Sequence, residues 1–230
     1  MSTDDTATPT SNRASAVSVA AVAPHLPVWV VVDTSASMTR HADALHAGVT
    51  AALDVAWGTL HAMQTTRIGV LTAGESAAVA LPLAPPVEPG NLGRFRTGGR
   101  SDMSGLIELL GAETERVVRA NLAVGRRTLE PWVLLLSDGR WDRSDAVVAV
   151  ERLHAPPTRP TVCPLGVGDM DEITLARVGR GGGFAVNTPD DLPTAMGELM
   201  RAILAQAGSE TPAQLPQITS LTGARPLEGW

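Results

Sequence analysis

Two uninterrupted apolar runs constrain the fold of this chain more than any other feature. Val28-Trp29-Val30-Val31-Val32 runs straight into Asp33, and Trp132-Val133-Leu134-Leu135-Leu136 runs into Ser137-Asp138-Gly139. A strand with one wet face alternates apolar and polar residues. A strand without alternation is covered on both faces, as in parallel sheets. Each run therefore needs helices above and below it, and the chain provides candidates. After Asp33 comes a long helical pattern with Leu45, Val49, Leu53, Ala56, Leu60 and Met63 on one face. A second helix, from Ser101 to about Val124, places Met103, Ile107, Leu110 and Val117 on one face. Further helices are expected from about Arg143 to His154, near Asp171 to Val178, and from Pro189 to Ala205, with Gly179 and Gly181 to Gly183 as a helix stop.

Four more segments read as strands: Arg67 to Thr72, Ser76 to Leu81, Thr161 to Val167 and Phe184 to Asn187. Gly74-Glu75 between the first two suggests a hairpin. The stretch from Pro82 to Gly99, with its prolines and glycines, reads as loop. Strands alternating with helices predict an α/β class: a doubly wound three-layer sandwich. Its central sheet is mostly parallel, in the order 3-2-1-4-5-6, with one antiparallel edge strand and helices on both faces. One domain over residues 25–207 is expected, preceded by a disordered arm (1–24) and followed by a polar, Pro-containing tail (208–230).

Composition narrows the function. The net charge is −6 and no basic stripe is present, which argues against a nucleic-acid partner. No apolar run approaches a membrane span, and Asp4 and Asp5 ahead of the small residues Ala14 to Pro24 fit a secretory signal poorly. Cys163 is the only cysteine, so no internal disulfide can form. The expected setting is the cytoplasm. His41 and His46 are five residues apart, a poor spacing for one helix face, so zinc is not expected.

In open parallel sheets, ligands bind beyond the carboxyl ends of the strands, where the strand order reverses. With the order above, Asp33 and Asp138 end neighbouring strands at that reversal. Two such carboxylates repel unless a positive charge lies between them. A divalent cation meets that need, with hydroxyl oxygens completing its shell.

Here the sequence resembles the von Willebrand factor A domains. Asp33-Thr34-Ser35-Ala36-Ser37 matches the Asp-x-Ser-x-Ser signature of their metal-ion-dependent adhesion site (MIDAS), between a Val-rich strand and a Met with a long helix. Ser137-Asp138-Gly139 matches the family's strand-end Ser/Thr-Asp-Gly. In Gly98-Gly99-Arg100-Ser101, Ser101 takes the place of the family's loop Thr after one inserted residue, and Ser104 replaces a Gly. The resemblance covers about Leu26 to Ala205. It implies a metal site made of Asp33, Ser35, Ser37, Ser101 and Asp138, holding Mg²⁺ (or Mn²⁺). Ser35, Ser37 and Ser101 would bind directly, and Asp33 and Asp138 directly or through water. Thr97 or Ser104 could replace Ser101, and Asp102 could reach the site. The resemblance further implies a non-enzymatic adaptor whose protein partner supplies an Asp or Glu to the metal. The short, strand-first layout is similar to the bacterial tellurite-resistance and chelatase-associated groups.

Two other readings compete. A haloacid-dehalogenase-like, Mg²⁺-dependent phosphohydrolase also places an Asp at the end of its first strand, but it wants a second Asp where Ser35 stands and a Lys that this chain lacks. A scaffold with a vestigial metal site is the other, motivated by the residue inserted before Ser101. Trp141 is either a partner-binding anchor or a cover for the core edge. Arg94, Arg96 and Arg100 are either a solvated loop or a rim that steers acidic partners.

Overall fold

A computed structural model describes residues 23–142, 151–153, 159–179, 182–207 and 218–227. The strands are β1 (Leu26–Asp33), β2 (Thr66–Ala73), β3 (Ala77–Ala84), β4 (Trp132–Ser137), β5 (Thr161–Gly166), β6 (Phe184–Val186) and β7 (Ala224–Pro226). The helices are α1 (Ala42–Trp57), α2 (Leu60–Thr65), α3 (Met103–Ala123), α4 (Glu172–Val178) and α5 (Leu192–Ala207), with a 3₁₀ turn at Ala36–His41. One seven-stranded sheet runs β3-β2-β1-β4-β5-β6-β7. The β3 and β7 pairings are antiparallel and the rest parallel.

The apolar runs behave as their lack of alternation requires. Every residue of β1, β4 and β5 is buried. Val28, Val30 and Val32 face a core shared with α1 and α5, while Trp29 and Val31 face a second core shared with α3 and α4. Strand β1 thus lies at the centre of three layers. The helices approach closely where a side chain is missing. A Cβ on Gly48 would stand 2.8 Å from Leu192, and one on Gly69 would stand 2.3 Å from the Trp29 ring. Cys163 is a buried part of the first core, and burial pushes its thiol up to about 12.

The structure differs from the sequence reading in three places. The helix after Asp33 is interrupted: Gly58 ends α1 and Thr59 is extended, so α2 restarts out of phase and Leu60 is 87% exposed. Strand β3 reaches Ala84 and so contains Pro82. An edge strand tolerates this, and the register shifts beside it. The expected tail is not all tail: residues 218–227 add β7 as a seventh strand, and Leu221 and Leu227 are buried, one in each core. Its short polar sequence hid it. Of the expected helix from Arg143 to His154, only Glu151 to Leu153 lie among the described residues, and these are helical. The arm 1–22 also lies outside them.

The amino-terminal ends of the strands form one pole of the domain. His25 bridges to Thr128 in the parallel sense just ahead of β1. Its Nε2 faces the Arg126 guanidinium, which can only donate, so Nε2 accepts and Nδ1 carries the proton, donating to Asn121 Oδ1 (2.9 Å); Asn121 Nδ2 in turn donates to Thr128 Oγ1 (2.8 Å). Burial, then the charges of Arg67 and Arg126, lower the His25 pKa to about 4.

Two outcomes follow from this architecture. Ending the chain at Ala207 removes two buried leucines, each contributing about 1.5–3 kcal/mol, and bares the β6 edge. Urea unfolding should show a loss of about 3–6 kcal/mol; an unchanged midpoint would mean that β7 does not hold the sheet. Separately, the unfolded state binds a proton at His25 between pH 6.5 and about 4, where the native state does not. The His25 contribution is thus full above pH 6.5 and falls as pH drops, by at most about 1.4 kcal/mol per unit. Melting wild type and His25→Gln at pH 7 and pH 5 should show the smaller drop in the variant.

Candidate metal centre

The site is built where β1 and β4 end side by side. Their register pairs Val32 with Leu136, which places Asp33 opposite Ser137 on the α3 side of the sheet. Asp33 is fully buried. Its Oδ1 accepts from the Ser35 backbone N–H (3.0 Å), and its Oδ2 accepts from Ser137 Oγ (2.7 Å) and Trp141 Nε1 (3.1 Å). Ser137 Oγ also accepts from Gly139 N (2.9 Å). The turn that follows is equally constrained. Asp138 Oδ1 accepts from Arg140 N (3.0 Å), and its carbonyl accepts from Asp171 N (2.7 Å). Gly139 adopts φ +70°, and a Cβ there would stand 2.8 Å from the Asp171 carbonyl oxygen, so the turn demands glycine. Asp138 is buried, and its charge acts on His41 at the end of the 3₁₀ turn. Burial and the neighbouring Arg40 nevertheless hold His41 below its ordinary value.

The loop leading to α3 is fastened onto the β1 turn by its backbone. Gly98 N donates to Thr34 O (2.8 Å), Ala36 N to Gly99 O (3.0 Å), and Asp102 N to Gly74 O (2.9 Å). Gly98 and Gly99 have φ of +150° and +69°. Ser101 is thereby brought to the same cleft as Ser35 and Ser37, whose hydroxyls are 3.2 Å apart. This open cleft, of about 620 Å³, is also lined by Glu75, Arg100 and Trp141. Thr97 and Ser104 do not line it. Asp102 lines the cleft as well, as the sequence reading allowed, and at the same time caps α3, its Oδ1 accepting from Gly105 N (2.8 Å).

Three features bear on what this arrangement can hold. Among the described residues, neither Asp33 nor Asp138 takes part in an ion pair. The Ser101 hydroxyl oxygen is buried and has no hydrogen-bond partner. No group of three or more His, Cys, Asp or Glu side chains gathers among the described residues, so the donors here are two carboxylates and hydroxyls. Such a set suits a hard cation and not a soft one.

The sequence reading left Trp141 open and did not pair Ser137 with Asp33. The indole is 8% exposed, belongs to the second core, and donates to both Asp33 and Ser137. It orders the site from behind; it is not an exposed anchor. Of the rim arginines, Arg100 lines the cleft and pairs with Asp142 (3.0 Å), while Arg94 pairs with Asp43 elsewhere.

The sheet order and the helices on both faces are those of the von Willebrand factor A-type fold. Solved structures agree. The von Willebrand factor type A protein from Catenulispora acidiphila is 18% identical with a TM-score of 0.59, over 80% of this chain and 43% of that one. The manganese-loaded TRAP protein of Plasmodium vivax is 13% identical with a TM-score of 0.52, over 68% and 63%. Proximal thread matrix protein 1 from the mussel byssus, with a zinc-occupied MIDAS motif, is 14% identical with a TM-score of 0.54, over 81% and 47%. At these identities the likeness is one of fold, and this chain spans less than half the length of the Catenulispora and mussel proteins. No family model and no curated protein matches the sequence. Among the described residues, no helix is long and apolar enough to cross a membrane.

The bond from Trp141 to Asp33 carries a measurable consequence. Trp141→Phe keeps a ring in the core but leaves a buried carboxylate one donor short, at a cost of about 1.5–3 kcal/mol. At about 2–4 °C per kcal/mol for a domain of this size, the melting temperature should fall well outside experimental error. An unchanged melting temperature would show that the indole hydrogen bond contributes nothing.

Proposed function

We propose that this domain is a metal-dependent protein-interaction module, in which Asp33, Ser35, Ser37, Ser101 and Asp138 hold Mg²⁺ (or Mn²⁺). One observation carries the reading: two buried carboxylates, without a cationic partner among the described residues, lie behind a cleft and bond to Ser35, Trp141 and Arg140, which line it, and the unsatisfied buried hydroxyl of Ser101 belongs to the same lining. Burying unpaired charge is costly, and a cation bound among these oxygens removes that cost. The three neutral donors on Asp33 fix its carboxylate, which suits action through water better than direct contact. A bound divalent cation supplies an electron-poor centre with a position free for an outside ligand. With direct ligands that are mostly neutral hydroxyls, that ligand is a carboxylate, so the partner is a protein presenting an Asp or Glu. The manganese-loaded and zinc-occupied structures of the same fold support a divalent ion; the choice of Mg²⁺ or Mn²⁺ rests on the oxygen donor set.

We infer a binding and not a catalytic role. A phosphohydrolase of the competing kind needs its first-strand Asp as a nucleophile, and the fully buried Asp33, with both oxygens engaged, is badly placed to attack. Against the vestigial-scaffold reading stands the placement of Ser101 in the lining of the same cleft as Ser35 and Ser37. A cytoplasmic setting remains part of the proposal and rests on the single buried cysteine.

Calorimetric titration of wild type, Asp33→Ala and Ser101→Ala with Mg²⁺ and Mn²⁺, with melting curves alongside, tests the reading. Wild type should bind, Asp33→Ala should not, and Ser101→Ala, which removes only a hydroxyl, should bind at least about tenfold more weakly (about 1.4 kcal/mol). Wild type that melts normally yet takes up neither ion at millimolar concentration would remove it.

A further inference from the structure

We propose that Arg67 and Arg126 form a binding site for a phosphate-type oxyanion at the pole opposite the metal cleft. Arg67 stands near the start of β2, paired in register with Pro27 of β1. Alternation along β1 and β2 puts Arg67 and His25 on the same side of the sheet, beneath Trp29 and against the end of α3. Arg126 lies just past that helix, and its guanidinium donates to His25 Nε2. His25 thus joins the two arginines: it touches one and feels the charge of both.

Nothing among the described residues balances these charges. Surface arginines such as Arg116, Arg119 and Arg225 each reach a carboxylate, but Arg67 and Arg126 take part in no ion pair there. The nearby carboxylate of Glu130 is engaged with Thr161 (3.2 Å) on β5. Arg67 donates only to the Thr66 carbonyl (2.7 Å). The Nε of Arg126 is buried with no acceptor among the described residues. Both side chains are half-buried, so the pair is partly desolvated yet still open to water on one side. Burial, and then the Arg126 charge, hold the Arg67 guanidinium below its ordinary value.

Two neighbouring guanidiniums without a counter-ion repel, and partial burial strengthens the repulsion. Each offers planar N–H forks with unused donors, and a tetrahedral oxyanion has enough oxygens to bridge two forks. The groups in contact with His25 add no acid among the described residues: burial, then the charges of Arg67 and Arg126, keep His25 neutral, and Asn121 and Thr128 are uncharged. Two half-buried guanidiniums with unused donors are what a phosphate dianion fits, either as the free ion or as a monoester.

The test uses the full chain, with inorganic phosphate and phenyl phosphate as probes against chloride at matched ionic strength. At millimolar concentration either probe should raise the wild-type melting temperature through binding to the native state. The probes should also shift the imidazole resonances that disappear in His25→Gln. Arg67→Gln and Arg126→Gln should weaken binding at least tenfold. Arg126→Lys, which keeps the charge and loses the fork, should fall between. In chloride alone, Arg67→Gln should melt no lower than wild type, because repulsion is relieved. A response to phenyl phosphate marks a site that admits an ester, and a response to inorganic phosphate alone marks a site for the free ion. If neither probe moves the wild-type His25 resonances or melting temperature beyond the chloride control, the proposal is overturned. Because that readout is on wild type, it stands even if a variant misfolds.

Discussion

The carboxylate of Asp33 is the constraint around which the active end of this domain is arranged. It sits at the end of the central strand, fully buried, with no positive charge paired to it among the described residues. A carboxylate in that position is tolerable only if its oxygens are satisfied, and three elements meet to do so. The β1 turn contributes a backbone amide, β4 a hydroxyl, and the loop beyond it an indole. The bond from Ser137 to Asp33 crosses between the two strands where the order reverses, so it ties together the elements whose separation opens the cleft. Hydrogen bonds from neutral donors orient the charge without cancelling it, and an oriented, uncancelled negative charge is what a cation site requires.

The other half of the cleft depends on backbone rather than side chains. Three main-chain bonds fix the loop before α3 to the β1 and β2 turns, and Gly98 and Gly99 take up conformations that L side chains rarely adopt. A Cβ at Gly99 would also stand 2.9 Å from that of Glu75. The position of the Ser101 hydroxyl is therefore set by the path of the chain and not by a partner for its oxygen. A buried hydroxyl left unsatisfied by a well-fastened loop is a cost the fold carries, and a ligand oxygen or ion at that point relieves it.

Much of this was legible in the sequence because it is written in local pattern. Unbroken apolar runs gave β1 and β4; residues spaced for one helix face gave α1 and α3; an acid at a strand end gave the two carboxylates. What stayed hidden depends on contacts between distant segments. Leu60 fits a continuous helical face by spacing, and only the turn at Gly58 and Thr59 shifts it into solvent. Strand β7 is three residues long and polar, and it exists because β6 offers an unpaired edge. Trp141 could be read as anchor or as cover until its indole was seen to end on Asp33, a residue 108 positions away. His25 looked like one of several scattered histidines; its burial comes from Asn121, which α3 delivers 96 residues later.

The two ends of the sheet share one electrostatic form with opposite sign. At the carboxyl ends of the strands, buried carboxylates are held by neutral donors; at the amino ends, half-buried guanidiniums adjoin a histidine kept neutral by burial and by their charge. A net charge of −6 spread over the surface explains neither, since surface ion pairs are weak and could be drawn from the many acids available. Folding would be more favourable if each pole carried its own counter-charge. A stability cost retained at both ends, in a domain whose interior is otherwise closely packed, points to ligands as the counter-charges. A cation would occupy one pole and an anion the other, and each would stabilise the native state in proportion to its binding.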